Sequence, residues 1–165
     1  SIFENEKLFY LFKSFSAKEF SIENVLCYKD LLLYKQCMEH ERFEFAERIF
    51  MLYLDEGSVL EVNTTLEIRH EVKKALVNAK STTSEKQQTP SLRPKPILSK
   101  DLFVKFENSL CMNLMDIFSR FKRTRAFAEI VIKTPAFTES FTIVQRKRGT
   151  SVILQRQNSC NILTK

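Results

Sequence analysis

Two short polar stretches contain the residues best suited to contact another molecule. The first runs from Glu19 to Val25 (Glu-Phe-Ser-Ile-Glu-Asn-Val), and the second is Glu61-Val62-Asn63. In each, an apolar run stops, a few polar residues follow, and a new amphipathic run begins, which is typical of a turn between two helices. Binding residues often lie in such turns. Because asparagine both donates and accepts hydrogen bonds, Asn24 and Asn63 predict two turns that converge on the surface of a partner.

The chain offers little with which an enzyme could work on its own. It contains two glycines and two histidines, and it has no Gly-rich nucleotide loop, no Gly-Lys-Ser/Thr and no Ser/His/Asp or Cys/His arrangement. His40 and His70 have no Cys or acidic partner at metal-ligand spacing, so we interpret them as surface histidines. We therefore expect no catalytic residue, no metal and no cofactor, and autonomous catalysis is disfavoured.

Composition favours a helical protein. The 165 residues allow one domain with a hydrophobic core, and 44% hydrophobic residues with only two Gly and four Pro favour helices over a turn-rich β fold. No apolar stretch approaches the ~20 residues needed to cross a bilayer, so we expect a soluble, cytoplasmic protein. Four widely separated cysteines without a Cys-x-x-Cys motif predict reduced thiols.

Charge divides the chain into two halves. Residues 1–80 have 11 Lys and Arg against 14 Asp and Glu, a net charge of −3, whereas residues 81–165 have 15 against 6, a net charge of +9. The basic half is either a solvated surface or a contact for an anionic membrane or nucleic acid. Because no aromatic residue interleaves the basic run from Arg146 to Arg148, specific nucleic-acid binding is disfavoured.

Apolar residues at helical spacing predict an all-α bundle. The predicted helices are 4–18, 22–38, 42–55, 64–80 and 101–121, the last four forming an antiparallel bundle with both Asn-bearing turns at the same end. We expect Ser21 to cap the second helix. Thr64-Thr65-Leu66-Glu67 fits a capping box, which predicts that the fourth helix begins directly after Asn63.

Two segments differ in composition from these helices. Residues 81–99 are rich in Ser, Thr, Gln, Lys and Pro, which predicts a flexible loop inserted between bundle helices. Residues 133–165 are basic and contain two short β-prone runs around Gly149, which predict an irregular tail with at most a marginal hairpin. The predicted helical domain therefore spans residues 1–132.

With their flanking residues, the two turns resemble the regulator of G-protein signalling (RGS) domain. That family has a Phe-x-x-Phe run before a Glu-Phe/Tyr-Ser-x-Glu-Asn turn, a Tyr-Lys at the end of the next helix, an Ala-x-x-Ile-Phe-x-x-Tyr/Phe helix, and then Glu-Val-Asn. The matching positions are Phe12 and Phe15, Glu19 to Asn24, Tyr34-Lys35, Ala46, Ile49-Phe50, Tyr53, and Glu61 to Asn63. The resemblance is specific over residues 9–79 and degenerate afterwards. Because the chain begins at what would be the family's third helix, we expect a fragment or a divergent member.

The resemblance implies a regulator that binds the switch regions of a GTP-bound Gα subunit and accelerates its GTP hydrolysis without a catalytic group of its own. The residues that it implies for Gα binding are Glu19, Phe20, Ser21, Glu23, Asn24, Glu61, Val62 and Asn63. It further implies a location in the cytoplasm, with the inner face of the plasma membrane as an option. Cys27-Tyr28 stand where the family usually has Phe-Trp, so we expect another aromatic residue to fill the space.

A third contact region of the family, with an Asp-Ser-Tyr-x-Arg-Phe-Leu pattern, is only weakly matched. The best register places Arg125 where the family has Asp and Glu129 where it has Arg, and Arg120 lies close by. A pair at i and i+4 can still form within the helix, but the outward charge is inverted. The alternative function is therefore an RGS-homology scaffold, or protein-interaction module, with weak or no GTPase-activating activity.

Overall fold

The computed structural model describes residues 2–84 and 96–133, and it has six α-helices in that part of the chain. They are α1 (Glu6–Lys18), α2 (Ile22–Gln36), α3 (Arg42–Ile49), α4 (Leu66–Ser84), α5 (Val104–Phe121) and α6 (Arg125–Lys133). No strand is found in these two described segments. The predicted all-α bundle is therefore confirmed, with helix bounds that differ from the predicted ones by a few residues. The predicted hairpin and the basic run from Arg146 to Arg148 lie outside the described residues.

The helix predicted at residues 42–55 has three parts. A 3-10 turn at Glu39–Glu41 leads into α3, and the helix then widens into a π-helical turn at Phe50–Leu54. The backbone N–H of Asp55 donates to the carbonyl of Phe50 at 2.8 Å, a bond that spans five residues where an α-helix spans four. This widened turn brings the chain out of the helix beside the second polar turn.

Long-range contacts show that α2 runs antiparallel to α3 and also to α5. The Tyr34 side chain near the end of α2 packs against Phe45 near the start of α3, whereas Tyr53 after α3 bonds back to Asp30. Along α5, Glu107 pairs with Lys35, and Asn113, further along, bonds to Asn24 at the start of α2. In each pair of helices, a residue near the end of one helix contacts a residue near the start of the other.

Aromatic side chains fill the core between α1 and α5. The ring of Phe12 lies 5.8 Å from that of Phe118 and 5.3 Å from that of Phe121, centroid to centroid. The expected compensation for the smaller Cys27-Tyr28 pair is present, because the ring centroid of Phe3 lies 4.9 Å from that of Tyr28. The Tyr28 hydroxyl, however, is buried without a hydrogen-bond partner.

Three local predictions were wrong. Ser21 precedes α2, but its hydroxyl donates back to the Ser16 carbonyl at 3.3 Å and caps no amide of α2. At the start of α4 the capping hydroxyl is that of Thr65, which accepts from the Ile68 N–H at 3.4 Å, whereas the Thr64 hydroxyl is buried without a partner. The expectation of reduced thiols holds for Cys27 and Cys37 but not for Cys111, which is disulfide-bonded.

The structure shortens the loop that was predicted at residues 81–99, because residues at both of its ends are ordered parts of the bundle. At its start, α4 continues to Ser84. At its end, Leu98 is buried, and its carbonyl accepts from the Arg42 guanidinium at 3.1 Å. The Tyr34 hydroxyl donates to the neighbouring Ser99 carbonyl at 2.7 Å. Residues 85–95 lie outside the described residues, so the expected flexibility there stays a prediction.

Candidate functional site: two turns at one end of the bundle

The first polar turn is built by the way α1 ends. The Ser21 N–H donates to the Ser16 carbonyl at 2.9 Å, and the Phe20 N–H donates to the Ala17 carbonyl at 3.2 Å. These two bonds form a Schellman motif, in which the residue after the C-cap adopts the left-handed conformation and is usually glycine. Here that residue is Phe20, with φ of 52°. The backbone is therefore held in a conformation that a side chain disfavours.

The Phe20 side chain is also unusually exposed. It is 93% accessible although it is a large aromatic residue, and it follows directly after Glu19, which is exposed as well. The Phe20 side chain therefore contributes no packing energy, and its backbone conformation is unfavourable. Unfavourable backbone conformations that serve no packing purpose are concentrated at functional sites, which makes Phe20 a candidate contact.

Asn24, in contrast, lies mostly inside the protein. Its side chain is 6% exposed, its Nδ2 donates to Oε1 of Glu23 at 2.6 Å, and its Oδ1 accepts from Nδ2 of Asn113 at 3.2 Å. Nearby, Nε of Arg120 donates to Oε2 of Glu19 at 2.8 Å. The first turn is therefore attached to α5 at two points.

The second turn is held by the Arg69 side chain from the first part of α4. Its guanidinium donates to the carbonyls of Leu54 at 3.0 Å and Val62 at 3.1 Å, and it pairs with Glu61 at 2.7 Å. Val62 is fully buried, and its N–H donates to the Tyr53 carbonyl at 2.9 Å. Val62 thus fixes the position of the turn from the inside.

The Glu61 carboxylate also closes the loop before it. Its second oxygen accepts from the Gly57 N–H at 2.9 Å, and Gly57 has a positive φ of 77° that a glycine adopts without strain. The Gly57 N–H and the Arg69 guanidinium both stabilise the charged carboxylate, so the pKa of Glu61 lies below its ordinary value. Asn63 follows this braced turn with its side chain exposed.

The antiparallel packing of α2 and α3 brings both turns to the same end of the bundle. Tyr53, at the end of the π-helical turn, donates its hydroxyl to Asp30 at 2.8 Å and accepts the N–H of Val62 at its carbonyl. Asn63 therefore emerges where α3 ends, in the half of the bundle where α2 begins with Asn24. This agrees with the arrangement predicted for the two asparagines.

The third region lies at the start of α6, which follows α5 after a short turn. The Thr124 hydroxyl accepts from the Phe127 N–H at 3.2 Å and caps the helix. Nε of Arg125 donates to Oε1 of Glu129 at 2.7 Å, so the expected i and i+4 pair is present. Arg125 is nevertheless 92% exposed, so its positive charge faces solvent.

Comparison with known proteins identifies the family. A model of the regulator of G protein signaling (RGS) domain matches residues 1–130. The chain belongs to the RGS domain family. The comparison with curated proteins found no match. Membership of the family places the chain among regulators of G-protein signalling, a family of GTPase-accelerating domains that generally bind Gα subunits.

The residues that the sequence pointed to fall into three groups in this RGS domain: the first turn with Arg120, the second turn, and the start of α6. Glu19, Phe20 and Asn63 are exposed near the same end, and Arg120 lies against Glu19. Val62 and Asn24 are buried, so they hold the two turns in place and are not themselves exposed to a partner. Asn113 and Asp116 were missed. Asn113 contacts Asn24 across 89 residues of chain, which only packing reveals. Asp116 pairs with Arg120 at i and i+4 within α5, a spacing that the sequence does show.

Neither metal binding nor membrane insertion finds support in the described segments of this RGS domain. Within residues 2–84 and 96–133, no three His, Cys, Asp or Glu side chains come together in a way that could hold a metal ion. None of the helices in the same part of the chain is long and apolar enough to cross a membrane.

Proposed function

We propose that this RGS domain binds the switch regions of a GTP-bound Gα subunit with its two Asn-bearing turns and accelerates GTP hydrolysis. The observation that carries this proposal is the first turn: Phe20 is almost fully exposed and held at a φ of 52°. A stable protein gains nothing from such a residue, whereas a binding surface gains a large apolar contact at a fixed position.

The chemistry requires no catalytic group from this chain. Gα subunits carry their own arginine finger and a glutamine that orients the attacking water, and Mg²⁺ neutralises the developing charge. The RGS domain supplies positioning, because it holds the mobile switch segments in the shape they have in the transition state. The exposed Asn63 amide both donates and accepts next to the glutamine, and the carboxylates of Glu19 and Glu23 accept from switch donors.

Single-turnover GTP hydrolysis by a panel of Gα subunits, with and without the domain, tests this proposal. We expect the domain to accelerate hydrolysis, and Asn63→Ala to weaken that acceleration at least about tenfold, or about 1.4 kcal/mol. Asn108→Ala is the matched control, because Asn108 is exposed in the first half of α5, away from both turns. Strong acceleration that Asn63→Ala leaves undiminished would mean that the second turn is not the contact.

The alternative, an RGS-homology scaffold without strong acceleration, is favoured by one observation. Arg125 is 92% exposed where the family has an acidic residue that accepts from switch-region amides. A guanidinium offers donors only, so this contact is lost and a basic partner surface is repelled. We expect the double exchange Arg125→Asp with Glu129→Arg to raise acceleration, since it restores the family's charges and keeps the pair within α6. An unchanged rate would mean that α6 does not face Gα.

The cellular location that we propose follows from the proposed Gα partner. Gα subunits act at the inner face of the plasma membrane, so the domain works in the cytoplasm, near that membrane. The basic residues of the C-terminal half suit an anionic membrane surface there. Removal of residues 134–165 is expected to reduce sedimentation of the protein with anionic vesicles.

A further inference from the structure

Asn113 reaches the first turn from the middle of α5, although 89 residues separate it from Asn24 in the chain. Its Nδ2 donates to Oδ1 of Asn24 at 3.2 Å, and Asn24 is 6% exposed. The bond is therefore partly shielded from water, with its Asn24 end buried and its Asn113 end half-buried. A hydrogen bond in such a place costs more to break than an exposed one, because water does not replace the lost partner.

The chemistry of the neighbouring carboxylate fixes the orientation of both amides. An ionised Glu23 is an acceptor only, so the atom of Asn24 that lies 2.6 Å from it is the Nδ2 nitrogen. The Asn24 oxygen then faces Asn113, which has to donate. Only one orientation of the two amides satisfies both contacts. The Ser21 carbonyl, 3.5 Å from the same Nδ2, favours this orientation too, and Asn113 stabilises it by donating to the Asn24 oxygen.

We propose that Asn113 is a positioning residue of the Gα-binding surface, and that through Asn24 it fixes the direction in which Glu23 presents its carboxylate. This inference rests on the proposed function, because Glu23 is one of the residues proposed to meet the switch regions. A second attachment from α5 acts on the same turn, since Arg120 pairs with both Glu19 and Asp116. The α5 helix therefore orients both carboxylates of the first turn.

Asn113→Asp tests the proposal with nearly no change of shape. The aspartate only accepts, so it favours the reversed Asn24 amide, whose oxygen then faces the Glu23 carboxylate. Two acceptors repel, and Glu23 turns away. We expect the concentration of domain needed for half-maximal acceleration to rise about tenfold, while the rate at saturation stays unchanged. Asn113→Ala removes the bond without creating repulsion, and we expect a rise of about threefold.

Asn108→Asp is the matched control for the added charge, because Asn108 lies on the same helix and is exposed. Thermal unfolding of each variant is measured alongside. A merely structural role predicts that the loss of affinity follows the loss of stability in the three variants. The proposal predicts that Asn113→Asp weakens the affinity for Gα more than Asn113→Ala does, even where the two variants have the same Tm.

A second measurement does not depend on Gα. The order parameter of the Asn24 side-chain amide, from ¹⁵N relaxation, is expected to be near the rigid value of about 0.85 in the native domain and below about 0.6 in Asn113→Ala. If no Gα subunit responds to the native domain, the proposed function fails, but this experiment still tests the coupling between Asn113 and Asn24. A rigid Asn24 amide in both the native domain and Asn113→Ala overturns the proposal. An unchanged affinity in Asn113→Asp, with the native domain active, overturns it as well.

Discussion

Replacing Phe20 by glycine is expected to stabilise this RGS domain and to weaken its function at the same time. Phe20 has a φ of 52°, a left-handed conformation that costs an L-residue about 1–2 kcal/mol. Glycine relieves that cost, but it loses about 0.5–1 kcal/mol through the greater freedom of the unfolded chain. The phenyl ring is 93% exposed, so its removal sacrifices almost no buried area. The balance is a stabilisation of about 0.7 kcal/mol.

Urea and thermal unfolding followed by circular dichroism measure this difference. For a domain of this size we expect an increase in Tm of about 2–4 °C. Phe20→Ala is the matched control: it also removes the ring but keeps a Cβ atom in the left-handed conformation, so its stability is expected to stay within about 0.5 kcal/mol of the native value. Both variants lose the ring, and both are therefore expected to weaken the acceleration of GTP hydrolysis by a similar factor.

The pair of variants separates the backbone from the ring. If Phe20→Gly melts no higher than Phe20→Ala, the turn does not hold residue 20 in a left-handed conformation. If Phe20→Ala accelerates hydrolysis as well as the native domain, the exposed ring is not a contact, and the observation on which the proposed function depends loses its meaning.

Three further predictions concern the bundle itself. Tyr28→Phe removes a buried hydroxyl without a partner, so we expect the free energy of unfolding in urea to stay equal or to rise by up to about 1 kcal/mol. Burial, and then the nearby Glu107, raise the pKa of Tyr28 to about 12. Since the unfolded tyrosine releases its proton near pH 10, the free energy of unfolding should fall between about pH 10 and 12. This fall should be less steep in Tyr28→Phe. The Gly57 amide should lose hydrogen-exchange protection as the pH falls through the lowered pKa of Glu61, since the protonated carboxyl is a weaker acceptor, and Glu61→Gln should remove this pH dependence. Replacing residues 85–95 by a short Gly-Ser linker should leave Tm nearly unchanged, whereas Leu98→Ala, at a buried position, should cost about 2–4 kcal/mol.

The helices and the two turns could be predicted because their signals are local. Apolar residues at helical spacing indicate where a buried stripe lies, and the polar residues that interrupt them indicate where a helix ends. The Thr64-Thr65 pair shows the limit of this reasoning. Either hydroxyl can cap a helix, and the choice of Thr65 depends on how Arg69 and Val62 place the preceding turn.

The left-handed residue in the first turn was not predictable from composition. Glycine is the residue that usually marks this position, and the chain has Phe20 there. The contact between Asn24 and Asn113 was not predictable either, because it depends on the relative rotation of α2 and α5. Asn113 lies in an otherwise apolar run from Leu110 to Met115, and no local pattern indicates that its side chain faces the turn.

The contacts also show that the two turns are held by different parts of the bundle. Asn113 and Arg120 of α5 hold the first turn, whereas Arg69 of α4 and the Tyr53 carbonyl hold the second. The α6 helix, with its exposed Arg125, packs its Phe127 ring against Phe118 and Phe121 of α5. A substitution in α5 thus acts on the first and third regions together, because the same helix positions both. We expect the second turn to keep its geometry when α5 is substituted. Substitutions in α5 would then change the charged contacts of the first turn and leave Asn63 in place.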